Sequence, residues 1–128
     1  MDRETLNECS GQIIAAGMRV HSRLGPGLLE SAYRACLAYE LRKMGLQVEE
    51  ELPLPVVYDE VNLDVGYRLD LLVNDLVIVE VKAVSKLNPV HEAALLTYLK
   101  MSNHELGLLM NFHEVHLRNG IRRIIHGY

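Results

Sequence analysis

Residues 68–84 of the chain read RLDLLVNDLVIVEVKAV. The segment contains two apolar runs separated by the polar pair Asn74-Asp75, which is the pattern of a buried β-hairpin. Asp70, Glu80 and Lys82 interrupt the apolar runs. Because a buried charge is costly unless it is paired or coordinates a metal, these three residues need a physical explanation.

The register of the hairpin decides which of its side chains meet. A two-residue turn would mix charged and apolar side chains on both faces, whereas a three-residue loop of residues 74–76 leaves one face wholly apolar. The apolar face would then contain the cross-strand pairs Val73–Val77, Leu71–Val79 and Leu69–Val81. The other face would set Asp70 opposite Glu80 and Arg68 opposite Lys82. We therefore predict the three-residue loop.

In that register the carboxylates of Asp70 and Glu80 face each other, with their β-carbons about 5 Å apart, and as bare like charges they would destabilise the strand pair. Lys82 shares their face but balances only one of the two charges. A divalent cation balances both, and Mg²⁺ typically takes one or two carboxylates, keeps several waters and leaves room for a phosphate. The pattern fits a Mg²⁺ (or Mn²⁺) site for phosphodiester hydrolysis, with Lys82 orienting a water or stabilising the phosphate. A solvated ion-pair cluster at a sheet edge fits the spacing equally well.

The remaining sequence places this hairpin in one domain, because 128 residues suffice for a single core and not for two. Apolar periodicity, turn signals and helix-capping residues delimit the elements. In chain order we predict helices over Thr5–Leu24 and Leu28–Met44, strands over about 47–58, 64–73 and 76–84, a helix over 89–102, a strand over 105–112 and a hairpin that turns at Asn119-Gly120.

The composition limits the possible functions. Thirteen Lys and Arg residues against 17 Asp and Glu give a formal net charge of −4, which argues against coating of nucleic acid by bulk electrostatics. A nuclease with carboxylates around a metal remains compatible if a local basic patch meets the phosphates. Candidates for that patch are Arg68, Lys82, Lys86, Arg122 and Arg123. No apolar stretch is long enough to span a membrane, and the N-terminus does not resemble a signal peptide, so we expect a soluble cytoplasmic protein.

Three motifs follow one another along the chain. Gly27-x-x-Glu30-x-x-Tyr33 comes first, the D…ExK hairpin of residues 70–82 second, and a YL…GLLxNF segment of residues 98–112 third. Over nearly the whole chain this combination resembles the GxxExxY family, small prokaryotic proteins of the PD-(D/E)XK nuclease-like superfamily. The resemblance implies a mixed α/β fold with an αβββαβ core, here with an extra N-terminal helix and a C-terminal β-hairpin, and a metal-dependent nuclease activity.

The resemblance also implies roles for individual residues of the hairpin and the first motif. Asp70 and Glu80 take the positions of two metal ligands, and Lys82 takes that of the catalytic lysine. The Val81 carbonyl is a common further ligand in such sites. Glu30 corresponds to a helix glutamate that completes the metal site in several relatives, such as Holliday-junction resolvases. In the first turn of its helix, Glu30 would also simply stabilise the helix dipole.

Four further residues are candidates for substrate contact. Tyr33 lies one turn after the helix glutamate, where its hydroxyl would orient that carboxylate or a phosphate, or where its ring would pack in the core. Tyr98 matches the tyrosine of the family's QxxxY pattern, but Ala94 replaces the glutamine and removes a polar contact. His91 would donate to a phosphate in its place, or would cap its helix. Arg68, two residues before Asp70, is the fourth candidate.

Three functions remain open after these inferences. The first is a Mg²⁺- or Mn²⁺-dependent nuclease that hydrolyses nucleic acid with a metal-activated water, with DNA favoured over RNA. The second is a non-catalytic nucleic-acid-binding module that retains the nuclease fold, and the third is a protein-interaction module. A homodimer that supplies two sites is expected by analogy alone, and no membrane partner is expected.

Overall fold

The computed structural model describes residues 2–127, which form three α-helices, a five-stranded sheet and a separate two-stranded hairpin. The predicted mixed α/β class is confirmed. In chain order the elements are α1 (Arg3–Leu24), α2 (Glu30–Lys43), β1 (Val48–Pro53), β2 (Val56–Tyr58), β3 (Val61–Leu63), β4 (Arg68–Val73), β5 (Val77–Lys82), α3 (Pro89–Ser102), β6 (Leu106–Asn111), a 3₁₀ turn (Leu117–Gly120) and β7 (Ile121–Ile125).

The five-stranded sheet has the order β1-β4-β5-β6-β7. Its neighbouring strands are antiparallel except for β5 and β6, which run parallel. Parallel neighbours need a long crossover, and α3 supplies it. The charged β4-β5 hairpin therefore contributes the middle strand of the sheet, with β5 flanked on both sides by hydrogen-bonded strands.

Both faces of the sheet are covered by helices. Side chains of α1 and α2 pack on one face, in a cluster to which β5 contributes Val77, Val79 and Val81. Side chains of α3 pack on the other face, where Ile78 of β5 belongs to the same cluster as Leu95. A central strand buried on both faces is apolar at nearly every position, which explains the long apolar run of β5.

The β4-β5 hairpin has the predicted register near its loop. The paired residues are Leu71 with Val79, Leu72 with Ile78, and Val73 with Val77. Asn74 and Asp75 in the loop have φ of 53° and 54°, a left-handed conformation that asparagine and aspartate tolerate better than most residues. The apolar pairing and the loop chemistry therefore agree on a three-residue connection.

Local signals also set the start of α3. The Asn88 side chain accepts hydrogen bonds from the backbone N–H groups of Val90 and His91, while Nδ1 of His91 accepts one from the Asn88 N–H. This reciprocal arrangement is a capping box, with Pro89 in the first turn.

No helix among residues 2–127 combines the length and apolar character needed to cross a membrane.

Three strand predictions were wrong in detail. Residues 47–58 form two strands instead of one, because the chain leaves the sheet at Leu54-Pro55 and proline has no N–H to donate. The strand predicted over residues 64–73 begins at Arg68. Asn119-Gly120 does not form a hairpin turn: it ends a 3₁₀ turn, and β7 pairs with β6 instead. Leu117 is buried in the cluster under α1 and α2, so tertiary packing overrides the local turn signal.

We predict that Gly107→Ala destabilises the protein by about 1–3 kcal/mol through overpacking. A Cβ at Gly107 in β6 would lie 2.9 Å from three side-chain carbons of Leu95 in α3. The matched control is Gly11→Ala in α1, where a Cβ meets nothing within 4 Å and should stabilise the helix by about 0.5–1 kcal/mol. Urea unfolding measures both changes. Equal stability of Gly107→Ala and the parent would contradict the described seating of α3 on β6.

Candidate active site

The ladder between β4 and β5 ends where the charged residues begin. Regular pairing reaches only to Leu71 and Val79, and beyond that point side-chain carboxylates replace backbone partners. Oδ2 of Asp70 accepts a hydrogen bond from the Val81 N–H at 2.8 Å, and Oε2 of Glu80 accepts one from the Asp70 N–H at 2.9 Å. The other oxygen of each carboxylate accepts no hydrogen bond from residues 2–127.

Leu69 shows that β4 twists at this point. In a regular strand Leu69 and Leu71 would face the same side of the sheet. Leu71 packs in the cluster under α1 and α2, whereas Leu69 packs in the cluster under α3. The predicted pairing of Leu69 with Val81 is therefore not formed, because the Asp70 carboxylate takes the Val81 N–H. The two strands part here, and both carboxylates reach into the gap.

Burial dominates the electrostatics of Glu80, whose exposed fraction is 5%. Burial, and after it the charge of Asp70, raise the pKa of Glu80 to about 8 against the opposing effects of the Asp70 N–H and the Lys82 ammonium. Burial also raises the pKa of Asp70, against the opposing effects of the Val81 N–H and of Lys82. The pair resists carrying two negative charges at once unless additional positive charge is present.

Glu30, in the first turn of α2, borders this pair. Its carboxylate accepts a hydrogen bond from the Ala83 N–H at 3.3 Å, which ties the start of α2 to the end of β5. The charge of Glu30 contributes to the raised pKa of both Asp70 and Glu80. Within residues 2–127, however, no three His, Cys, Asp or Glu side chains form a ready-made set of metal ligands. Glu30 is thus coupled to the pair by charge without completing such a set.

The backbone of Val81 borders the same gap. Its N–H points toward β4, since it donates to Asp70, and in an extended strand the carbonyl of a residue points to the same side as its N–H. The next carbonyl, that of Lys82, points the other way and accepts from the Phe112 N–H at 2.8 Å. The Val81 carbonyl is therefore directed toward the gap between β4 and β5.

Helix α3 covers the other side of Glu80. A cavity of about 70 Å³ separates them, and its lining includes Glu80, Lys82, His91, Ala94 and Tyr98. Ala94, at the position where the sequence resemblance predicts glutamine, thus lies beside the acid and the lysine. Burial raises the pKa of Tyr98, and the charges of Glu80 and Asp70 add to this effect. The D…ExK residues and the tyrosine of α3 are brought together.

Comparison with known families agrees with this geometry. A family model of the PD-(D/E)XK nuclease superfamily matches residues 7–124. The chain belongs to the PD-(D/E)XK nuclease superfamily. The same comparisons found no match among curated proteins or among solved structures. Membership of the superfamily supports a nuclease class and a nucleic-acid substrate, without specifying either further.

Tyr33, although part of the first motif of this superfamily member, is fully buried. Its hydroxyl donates to the Gly25 carbonyl at 2.6 Å and accepts from the Leu28 N–H at 3.0 Å. Its ring stacks on Phe112 with centroids 4.7 Å apart. In the structure Tyr33 packs in the core and anchors the loop between α1 and α2. Core packing was one of the two roles that the sequence left open for this residue.

Of the remaining substrate candidates, His91 lines the cavity and Arg68 does not. His91 caps α3, as described above, and because its Nδ1 accepts a hydrogen bond, the proton of the neutral ring is assigned to Nε2. His91 therefore lines the cavity with a donor nitrogen available. Arg68 is exposed at the first position of β4.

Asn111 was missed by the sequence analysis. It is fully buried at the end of β6, where its Oδ1 accepts from the Val84 N–H at 3.1 Å and its Nδ2 donates to the Val84 carbonyl at 2.9 Å. These bonds fix the chain two residues after Lys82. The available signal was a polar amide inside an apolar strand, because such an amide must find partners when it is buried.

Arg34 on α2 was missed as well. Its guanidinium lies 3.2 Å from the Glu51 carboxylate, and its charge opposes the rise in the pKa of Asp70. Its Nε is buried with no hydrogen-bond partner in the part of the chain that the structure describes. Arg34 is therefore a second cation, besides Lys82, that acts on Asp70.

We predict that Glu80→Gln makes the metal-free protein more stable at pH 8. The pKa of Glu80 in the folded protein, about 8, exceeds its ordinary value of 4.5, so the folded state binds more protons than the unfolded chain between these pH values. Stability therefore falls as the pH rises through this range, by an amount on the order of a few kcal/mol. Glutamine keeps an acceptor for the Asp70 N–H but removes the charge.

Thermal unfolding in EDTA from pH 5 to pH 8 measures the difference between variant and parent. The advantage of Glu80→Gln should be largest at about pH 8 and disappear near the ordinary glutamate pKa. Glu60→Gln, which changes an exposed acid between β2 and β3, should follow the parent at every pH. If the thermal stability of Glu80→Gln and of the parent changed with pH in the same way, burial would not raise the pKa of Glu80.

Proposed function

We propose that the protein is a Mg²⁺- or Mn²⁺-dependent nuclease of the GxxExxY family within its superfamily. One observation carries the proposal: Asp70 and Glu80 lie together in the gap between parted strands at the centre of the sheet. Such a pair costs stability in a structural role, because both carboxyls are desolvated and repel each other. A divalent cation would balance both charges, and the relief of their repulsion would favour binding of the metal.

The donor set fits a hard divalent cation. Asp70 and Glu80 each have one carboxylate oxygen without a hydrogen bond from residues 2–127, and the Val81 carbonyl is directed toward the same gap. Mg²⁺ commonly uses one or two carboxylates and fills its other positions with water and phosphate, so three preassembled side chains are not required. Glu30 accepts the Ala83 N–H through Oε2 alone, so its other carboxylate oxygen would be the one to join the set.

The chemistry follows from the placement of the surrounding residues. When bound, a divalent cation would polarise a phosphoryl oxygen and lower the pKa of a water molecule. Lys82 lines the cavity beside Glu80 and would stabilise the charge that develops on the phosphate or orient the attacking water. Asn111 keeps the segment that follows Lys82 in place, so that little reorganisation of the lysine backbone is needed.

A non-catalytic nucleic-acid-binding module is the second candidate. The observation that favours it is Ala94, which leaves a cavity of about 70 Å³ where the glutamine of the family pattern would reach toward Glu80 and Lys82. Loss of that amide removes a hydrogen-bonding group that would help to position the lysine or the substrate. Both candidates share the nucleic-acid partner and differ only in hydrolysis.

We predict that Mn²⁺ stabilises the protein against heat at pH 8 and supports cleavage of nucleic acid. Asp70→Asn and Glu80→Gln should lose the Mn²⁺-dependent rise in Tm and reduce cleavage by about 100-fold or more, because ligand binding stabilises only a state with an intact site. Glu8→Gln, an exposed acid on α1, is the matched control and should behave as the parent.

Lys82→Ala separates the two candidate functions. It should abolish cleavage while keeping the Mn²⁺-dependent rise in Tm, since the lysine acts on the phosphate or the water and does not hold the metal. Substrates should include single-stranded, duplex and branched nucleic acids. If the parent protein with Mn²⁺ cleaves none of them, hydrolysis is refuted and the non-catalytic module takes its place.

We predict that Ala94→Gln increases the rate of cleavage. A glutamine at this position would extend into the cavity beside Glu80, Lys82 and Tyr98 and restore an amide to the site. An increase of about tenfold in kcat, with little change in Mn²⁺ affinity, is expected for a recovered positioning contact. Ala94→Leu fills the same space without the amide and serves as the control. Equal rates for both variants and the parent would show that an amide at this position contributes nothing.

A further inference from the structure

A second depression adjoins the carboxylate cavity on the side of the β2-β3 hairpin. It measures about 290 Å³ and is lined by Val56, Tyr67, Ala94, Thr97, Tyr98 and Met101. Ala94 and Tyr98 also line the cavity that contains Glu80 and Lys82. The two depressions therefore adjoin at Ala94 and Tyr98 of α3, and a ligand that reached both would have one end beside the carboxylates and the other end among aromatic and aliphatic side chains.

The lining of the second depression suits a flat apolar group. The rings of Tyr67 and Tyr98 lie 6.1 Å apart at a tilt of 51°, and Tyr67 remains 48% exposed. The hydroxyl of Thr97 donates back to the Ala93 carbonyl of its own helix, so it is already engaged. Apart from the hydroxyls of Tyr67 and Tyr98, the lining is apolar or already hydrogen-bonded, so stacking is the main interaction that this depression offers. Stacking accepts any nucleobase, because every base has an aromatic face.

The charges of the adjoining hairpin segment disfavour a run of phosphates along this surface. Residues 56–67, which form the hairpin and the chain that leads to β4, contain Asp59, Glu60 and Asp64 but no lysine or arginine. A duplex laid across this surface would bring a phosphate backbone against three carboxylates. A single nucleotide strand can instead turn its base into the depression while its phosphate stays at the metal site.

We propose that this depression, which we call the base groove (Val56, Tyr67, Ala94, Thr97, Tyr98 and Met101), binds an unpaired nucleobase next to the phosphate that is cleaved. The proposal rests on the proposed function and narrows its substrate to nucleic acid that is single-stranded at the site of cleavage. The base would stack on Tyr67 and Tyr98, and the adjoining phosphate would lie beside Glu80 and Lys82. A base held in a duplex cannot expose its face to these rings.

The test uses the full chain and a single-stranded oligonucleotide that contains one 2-aminopurine, whose fluorescence falls when the base stacks. Binding is measured in EDTA, where no metal-dependent cleavage takes place, for the parent, Tyr67→Ala and Tyr67→Phe. Tyr39→Ala is the matched control, because Tyr39 is a 62% exposed tyrosine on α2 and lines neither depression. Thermal unfolding of each variant verifies that it is folded.

We expect the parent to quench the single strand and to bind the matching duplex more weakly. Tyr67→Ala should weaken single-strand binding about tenfold, whereas Tyr67→Phe and Tyr39→Ala should bind as the parent does. Equal quenching by the parent and Tyr67→Ala, or equal affinity for single strand and duplex, would overturn the base groove. The base groove would also be overturned if Tyr67→Ala dissociated a dimer and left base binding unchanged, because the surface would then be a protein interface.

Cleavage assays with Mn²⁺ distinguish a failure of the base-groove proposal from a failure of the proposed nuclease function. If cleavage requires Asp70 and Glu80 but is unaffected by Tyr67→Ala on single strands, the nuclease stands and the base groove is refuted. If the parent binds single strands through Tyr67 but cleaves nothing, the base groove stands as part of a nucleic-acid-binding module and the nuclease is refuted.

Discussion

The candidate site depends on two carboxylates that the fold holds together at the centre of a sheet. Asp70 and Glu80 cannot reach solvent freely, because helices cover both faces and strands flank both sides of β5. Each carboxylate instead accepts a backbone N–H of the hairpin, and the ladder between β4 and β5 opens to allow it. In proteins without a functional demand, apolar residues at these positions would continue the ladder and be at least as stable. This cost is the reason why we propose a ligand that needs both charges.

The elements around this pair are arranged to act on it from three directions. The start of α2 brings Glu30 to the end of β5 through the Ala83 N–H, and α3 lies over Glu80 with a small cavity between them. From β6, Asn111 fixes the segment that follows the lysine. The parallel crossover from β5 through α3 to β6 is what makes this convergence possible, since it returns the chain to the neighbouring strand in the same direction.

The sequence predicts those parts of the site that follow from the alternation of apolar and polar residues. It does not predict the parts that depend on contacts between distant segments. Apolar pairing on one face was sufficient to identify the hairpin register near its loop. Apolar pairing alone could not predict where the ladder ends at Asp70. From that point the carboxylates of Asp70 and Glu80 accept backbone N–H groups of the opposite strand. The turn signal at Asn119-Gly120 was overridden by the burial of Leu117, and the dual possibilities for Tyr33 needed the hydroxyl partners in the fold to choose between them.

The central claim is that Asp70 and Glu80 together bind one divalent cation, and a crystal grown with Mn²⁺ tests it most directly. We expect an anomalous peak between the two side chains, with an oxygen of each carboxylate at a coordination distance of about 2.0–2.2 Å. The Val81 carbonyl and water molecules would complete the shell. A crystal at pH 8 and saturating Mn²⁺ with no peak there, and with both carboxylates bonded only to the N–H groups of Val81 and Asp70, would contradict the claim.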